Sequence, residues 1–191
     1  MYGNFEKKIY HKNSDTVDFN KVLHNTYAYG KLSAENYAKF LHSFNKSKIK
    51  IARCFTLVGP YQMIGKGFAI VDFISLAIKD KNIKINSPLK VYRSYMFVAD
   101  LIIWLIFILL KGEDGKVYNV GSDKPILLLD LAKKIVKLTN SKSKVIPNRK
   151  SLNNEKIQFY IPDIEETKKT FNLDLWTDID QSIISMVNSI K

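Results

Sequence analysis

Tyr27 and Lys31 stand four residues apart in the stretch Tyr-Ala-Tyr-Gly-Lys, inside a segment whose spacing predicts a helix from about Thr26 to Ser43. On a helix that separation stacks a phenol and an ammonium one turn apart on one face. An ammonium beside a phenol stabilises the phenolate, the form able to take a proton from a substrate hydroxyl. The same spacing also describes an ordinary amphipathic surface pair, so the pair gains meaning only from the elements around it.

Those elements alternate. Tyr27, Ala34, Tyr37, Ala38 and Leu41 recur at helical spacing and form the expected apolar side of the first helix. Ile49 to Phe55 reads as a short strand, closed by the turn residues Val58-Gly59-Pro60. A helix from about Gly67 to Lys79, an extended piece at Ile83 to Ile85 and an aromatic-rich extended piece at Tyr92 to Val98 follow. Leu101 to Leu110 is uniformly apolar, but a membrane span takes about 20 such residues, and this run is about half that, between Asp100 and Lys111. It is therefore expected as a fully buried helix starting near Ala99, with Asp100 favourably placed at the positive end of the helix dipole, and no membrane partner is expected. A turn at Gly112 to Gly115, a strand at Val117 to Val120, a turn at Gly121 to Pro125 and a helix at Leu127 to Leu138 come next. Pro162 to Lys191 fits two short helices split around Asn172 to Thr177, while Tyr2 to Leu23 reads as a polar loop. This alternation argues for an α/β class.

Composition narrows the function classes. A net charge of +12 would suit a polyanion partner. The lysines, however, come in ones and twos among acidic residues, with no basic stripe, so the charge reads as a solvated surface and no nucleic-acid partner is expected. Cys54 is the only cysteine, which rules out an intrachain disulfide and a Cys/His zinc cluster; no metal is expected, and a reducing cytoplasm fits best. Met1 to Asn20 has no apolar core of the kind a secretory signal carries. Among eight glycines, none forms the Gly-rich turn that cradles a dinucleotide pyrophosphate.

The succession Tyr27-Ala-Tyr-Gly-Lys-Leu-Ser-Ala-Glu35, Ala52-Arg53-Cys-Phe-Thr-Leu-Val-Gly-Pro60, Arg93-Ser-Tyr-Met-Phe-Val-Ala-Asp100 and Tyr118-Asn-Val-Gly-Ser122 closely resembles the extended short-chain dehydrogenase/reductase family, in its NAD-dependent epimerase/dehydratase branch acting on nucleotide sugars. The resemblance implies the C-terminal part of a Rossmann-type parallel sheet with flanking helices plus a small substrate-binding subdomain. Residues 1–60 would be the remnant of the NAD(P)-binding domain carrying the Tyr-x-x-x-Lys helix. Residues 61–191 would be mainly substrate-binding, with about 92–122 returning to pack on the Rossmann part.

By the same resemblance, Tyr27 is the catalytic base and Lys31 its partner, which also holds the nicotinamide ribose of NAD or NADP. Substrate contacts fall to Arg93 (pyrophosphate), Asn119 and Thr56. The pattern departs at Thr56 and Val58, where relatives commonly carry Asn and Tyr, and at Ser87-Pro88-Leu89, which replaces a Gly-Asp-Gly turn. Met1-Tyr2-Gly3 resembles the end of a motif whose catalytic Ser or Thr would precede Met1. The implied activity is oxidation or reduction at C4 of a nucleotide-linked hexose, by epimerisation, dehydration or keto-reduction, with a homodimer built through the Tyr27 helix. Without the Gly-rich turn and the Ser or Thr, the chain is expected to be inactive by itself; the rival expectation is a non-enzymatic truncated or split-gene remnant.

Overall fold

The computed structural model describes residues 10–12, 26–153 and 155–190. The tripeptide Met1-Tyr2-Gly3 and most of the Tyr2 to Leu23 segment lie outside the described residues.

Helix α1 (Thr26–Asn45) is followed by strands β1 (Ile51–Cys54) and β2 (Leu57–Val58), helix α2 (Ala69–Ile78), and strands β3 (Ile83–Ile85), β4 (Lys90–Arg93) and β5 (Met96–Phe97). Then come α3 (Val98–Lys111), β6 (Val117–Val120), β7 (Ile126–Leu127), α4 (Leu128–Leu138), β8 (Val145–Pro147), α5 (Arg149–Asn153), β9 (Ile157–Tyr160), α6 (Glu165–Phe171) and α7 (Ile179–Ile190). The strands pair in parallel as β1 with β6, β2 with β5 and β3 with β8. β4 lies between β7, antiparallel, and β9, parallel.

The β1–β6 register sets Arg53 opposite Asn119 and Cys54 opposite Val120. Residues 117–120 therefore return to the strand that follows the Tyr27 helix, although more than 60 residues separate the two pieces of chain.

Among the described residues two apolar cores form. One packs Ile70, Val71 and Ile74 of α2 against Leu131 and Ile135 of α4 and Ile183 and Met186 of α7. The other gathers Trp104 and Ile108 of α3, Tyr118 and Val120 of β6 and Phe171 of α6. Between them, the buried Asp100 carboxylate accepts hydrogen bonds from the Thr177 amide at 3.0 Å and hydroxyl at 3.1 Å, tying the start of α3 to the segment before α7.

Two faces differ from the sequence reading. The run Leu101 to Leu110 is not fully buried. Leu101, Trp104 and Ile108 are covered, whereas Ile102, Ile103, Ile106, Leu109 and Leu110 are 39–74% exposed. A helix that is apolar all round has no periodicity to mark its inner side. Here Trp104 selects it by donating its indole N–H to the Asp174 carbonyl at 3.0 Å.

On α1 the buried stripe is Ala28, Leu32 and Glu35, whereas of the expected apolar side Tyr27, Ala34 and Tyr37 are exposed and Ala38 and Leu41 only half-buried. A glutamate sits inward because Arg53 meets its charge, a pairing that a count of apolar residues misses. The second helix starts at Ala69 rather than Gly67, whose φ of 81° is incompatible with an α-helix. Strands β8 and β9 add to the elements read from sequence. At the turn before β6, Gly115 has φ 78°, which favours glycine, and a Cβ there would come 2.6 Å from His42 Cδ2 and push that ring aside.

Candidate active site

α1 projects Tyr27, Lys31 and Glu35 at successive four-residue intervals toward β1. Between helix and strand lies an open cleft of about 490 Å³ whose wall includes Tyr27, Lys31, Glu35, Arg53, Cys54 and, from β9, Tyr160. Lys31 Nζ is 5.6 Å from the centroid of the Tyr27 ring, so the phenol and ammonium share one face and one cleft.

The cleft cations differ in their commitments. Arg53 grips Glu35 with both arms, Nε to Oε1 at 2.8 Å and Nη2 to Oε2 at 2.9 Å, and the two side chains are only 10% and 2% exposed. Lys50 is held by Asp114 at 2.6 Å, and that bond pulls the Asp114 carboxyl below its ordinary range. Lys31 has no carboxylate partner among the described residues and is the cleft ammonium left for a ligand. Its charge is felt by Cys54, whose thiol is pushed up by burial and pulled partly back by Lys31.

The other residues expected at the site are distributed unequally. Arg93 stands opposite Tyr160 in the β4–β9 pairing, with its guanidinium 5.7 Å from the Tyr160 ring centroid. It donates to the Tyr92 carbonyl at 2.9 Å and to Gln158 Oε1 at 3.3 Å, and burial lowers its pKa against the opposing pull of Tyr95 and Tyr160. Arg93 thus backs the Tyr160 end of the cleft. Thr56 lies between β1 and β2, and its carbonyl accepts the Met96 amide at 3.1 Å.

Asn119 is not brought to the cleft surface. Its side chain is fully covered, and its amide donates to the His11 carbonyl at 2.8 Å and the Asp163 carbonyl at 3.1 Å. These bonds stitch together chain segments far apart in sequence.

Glu35, Arg53, Cys54 and Tyr160 line the cleft beside the residues expected there. Glu35 continues the four-residue spacing of Tyr27 and Lys31, which was the available signal; Tyr160 had none, because β9 was not read as a strand. Among the described residues no group of three His, Cys, Asp or Glu side chains is placed to hold a metal ion, and no helix is long and apolar enough to cross a membrane.

Such an arrangement can accept a proton from a hydroxyl at Tyr27 while Lys31 engages an electron-rich group beside it. Comparison with known proteins gives the family and the fold. Residues 1–121 match the model of the NAD dependent epimerase/dehydratase family. The chain is 35% identical over 115 residues to dTDP-D-glucose 4,6-dehydratase of Dictyostelium discoideum, a match covering 60% of this chain and 26% of that protein. It is 26% identical over 167 residues to UDP-glucuronic acid decarboxylase 4 of Arabidopsis thaliana, covering 86% and 37%. In fold it is similar to the crystal structure of dTDP-glucose 4,6-dehydratase from Bacillus anthracis in complex with NAD, with a TM-score of 0.82 at 19% identity, over 99% of this chain and 58% of that one. The chain therefore spans between a quarter and two-fifths of these curated relatives and under three-fifths of that structure.

Proposed function

The chain belongs to the NAD dependent epimerase/dehydratase family, and from that premise we propose that its cleft serves redox chemistry at C4 of a nucleotide-linked hexose, with Tyr27 as the proton acceptor. The observation that carries this reading is the joint presence of Tyr27 and Lys31 on one cleft wall, phenol beside ammonium. The dTDP-glucose dehydratase and UDP-glucuronate decarboxylase relatives support a nucleotide sugar as the substrate class.

In this scheme a sugar hydroxyl gives its proton to Tyr27 as its carbon gives up hydride. The bound nicotinamide of NAD supplies the hydride acceptor. The residues present fit its ribose end: Lys31 is a donor that no carboxylate among the described residues engages, and a volume of about 490 Å³ is that of a small-ligand site. Lys31 would hold the ribose hydroxyls beside the Tyr27 phenol. Arg93, with guanidinium donors left beyond Tyr92 and Gln158, would meet the sugar-nucleotide pyrophosphate, and Thr56 would border the sugar.

α1 would also be the contact surface for a second copy. Tyr37, Phe40 and Phe44 stack at 6.5 and 5.5 Å and are 54–78% exposed. Light scattering on Phe40→Ser against wild type checks this, with loss of the dimer expected.

The central test is turnover of dTDP-glucose and UDP-glucuronate with NAD, followed by nicotinamide absorbance and product chromatography. Tyr27→Phe is expected to cut turnover about 100-fold. Turnover indifferent to Tyr27→Phe, or a chain that neither binds NAD nor turns over either sugar, would defeat the reading.

A further inference from the structure

Of the twenty residues of α1, only Ala28, Leu32 and Glu35 are buried. Two of these are apolar, and one of those is an alanine, so apolar burial alone holds this helix weakly in rotation and register against the strand it faces. The third is a carboxylate with 2% of its side chain exposed, received by a guanidinium 10% exposed through two bonds at 2.8 and 2.9 Å. A forked pair of this kind fixes direction as well as distance, because both guanidinium N–H groups and both carboxylate oxygens must align. Glu35 stands one turn beyond Lys31, and Arg53 immediately precedes Cys54 on β1.

We propose that the Glu35–Arg53 pair is a positioning clamp, which fixes Lys31 over the cleft floor at Cys54 and so sets where the ammonium acts. Neither member is assigned a contact with substrate; both act through Lys31. The inference rests on the reading of this cleft as the active site, but it is tested without cofactor or turnover.

Cys54 supplies the readout. It is the sole cysteine of the sequence, it is exposed, and its thiol feels the Lys31 charge. The titratable and charged groups around it are Tyr27, Lys31 and Glu35 from α1, Lys50 and Arg53 from the strand side, and Tyr160 from β9. Since thiolate is the reactive form, the pH profile of Cys54 alkylation by iodoacetamide reports the ammonium beside it.

Lys31→Met is expected to move the profile to higher pH and slow alkylation about threefold at pH 7.5. The double variant Glu35→Leu/Arg53→Met removes the clamp without leaving a bare buried charge, a replacement that commonly preserves the fold. It is expected to move the profile in the same direction by a similar amount, although Lys31 is intact. A merely structural pair would leave the profile of the folded double variant at wild type. Arg53→Lys keeps the charge but not the fork, and a smaller shift in the same direction is expected, which covers the case in which the double variant does not fold.

A wild-type profile in the folded double variant, or in Arg53→Lys should the double variant not fold, overturns the clamp, and so does a wild-type profile in Lys31→Met. A clamp that passes while no nucleotide sugar is turned over would sink the proposed function alone. Turnover sensitive to Tyr27→Phe beside an unshifted profile would sink the clamp alone.

Discussion

The α2–α4–α7 side of the molecule and the α1–β1 side are built on opposite principles. The first interlocks aliphatic side chains from three helices, with Ile74, Leu131, Ile135, Ile183 and Met186 showing no exposed surface. It contains little that titrates. The second has a thinly buried helix tied to β1 by the Glu35–Arg53 ion pair, an open cleft, and the phenol, ammonium and thiol. Removal of apolar surface from water gives stability without direction, whereas paired charges give direction at a desolvation cost. The contrast separates the part of the chain that keeps it folded from the part that can do chemistry.

The sharpest way to break that division is Leu131→Ala. Truncating a fully covered leucine between packed helices is expected to cost about 3 kcal/mol, read as a lowered urea midpoint by circular dichroism, while Cys54 alkylation in the folded protein stays at wild type. A loss of stability no larger than that of a surface change would erase the distinction. Tyr27→Phe gives the converse: Tyr27 is 71% exposed, so the urea midpoint should not move even as turnover falls.

The smallest effect is a pH dependence. Tyr95, in the first core, has its phenol pushed above the ordinary tyrosine range by burial, with Arg93 opposing. Unfolded tyrosine loses its proton near pH 10, while folded Tyr95 keeps it. The unfolded state then binds fewer protons, and stability declines as pH rises above about 10. Tyr95→Phe should flatten the alkaline limb of stability against pH in urea titrations; an unaltered limb would show that burial of this phenol has no linked cost.

The sequence was most legible where structure is local. α2, α4, α6 and α7 declare themselves by spacing and by turn residues such as Asn172, which closes α6 at φ 51°. Tyr27 and Lys31 were legible as a pair because four residues make one helical turn. What escaped depends on distant partners. β8 and β9 are short pieces given meaning by β3 and β4, more than 60 residues earlier. Glu35 looks like a surface residue until Arg53 is opposite it, and the bonds from Asn119 to the His11 and Asp163 carbonyls join segments far apart in the chain. In α3, uniform apolarity hid which side faces inward.

The bond from Trp104 to the Asp174 carbonyl carries an optical consequence. The sequence has two tryptophans, and the other, Trp176, lies two residues past that carbonyl and is 54% exposed, whereas Trp104 is fully enclosed. One indole is therefore shielded from an aqueous quencher such as iodide and the other open to it. Loosening of the 172–177 segment would bring the two emissions together, so intrinsic fluorescence can follow the seam between the two cores with no added label.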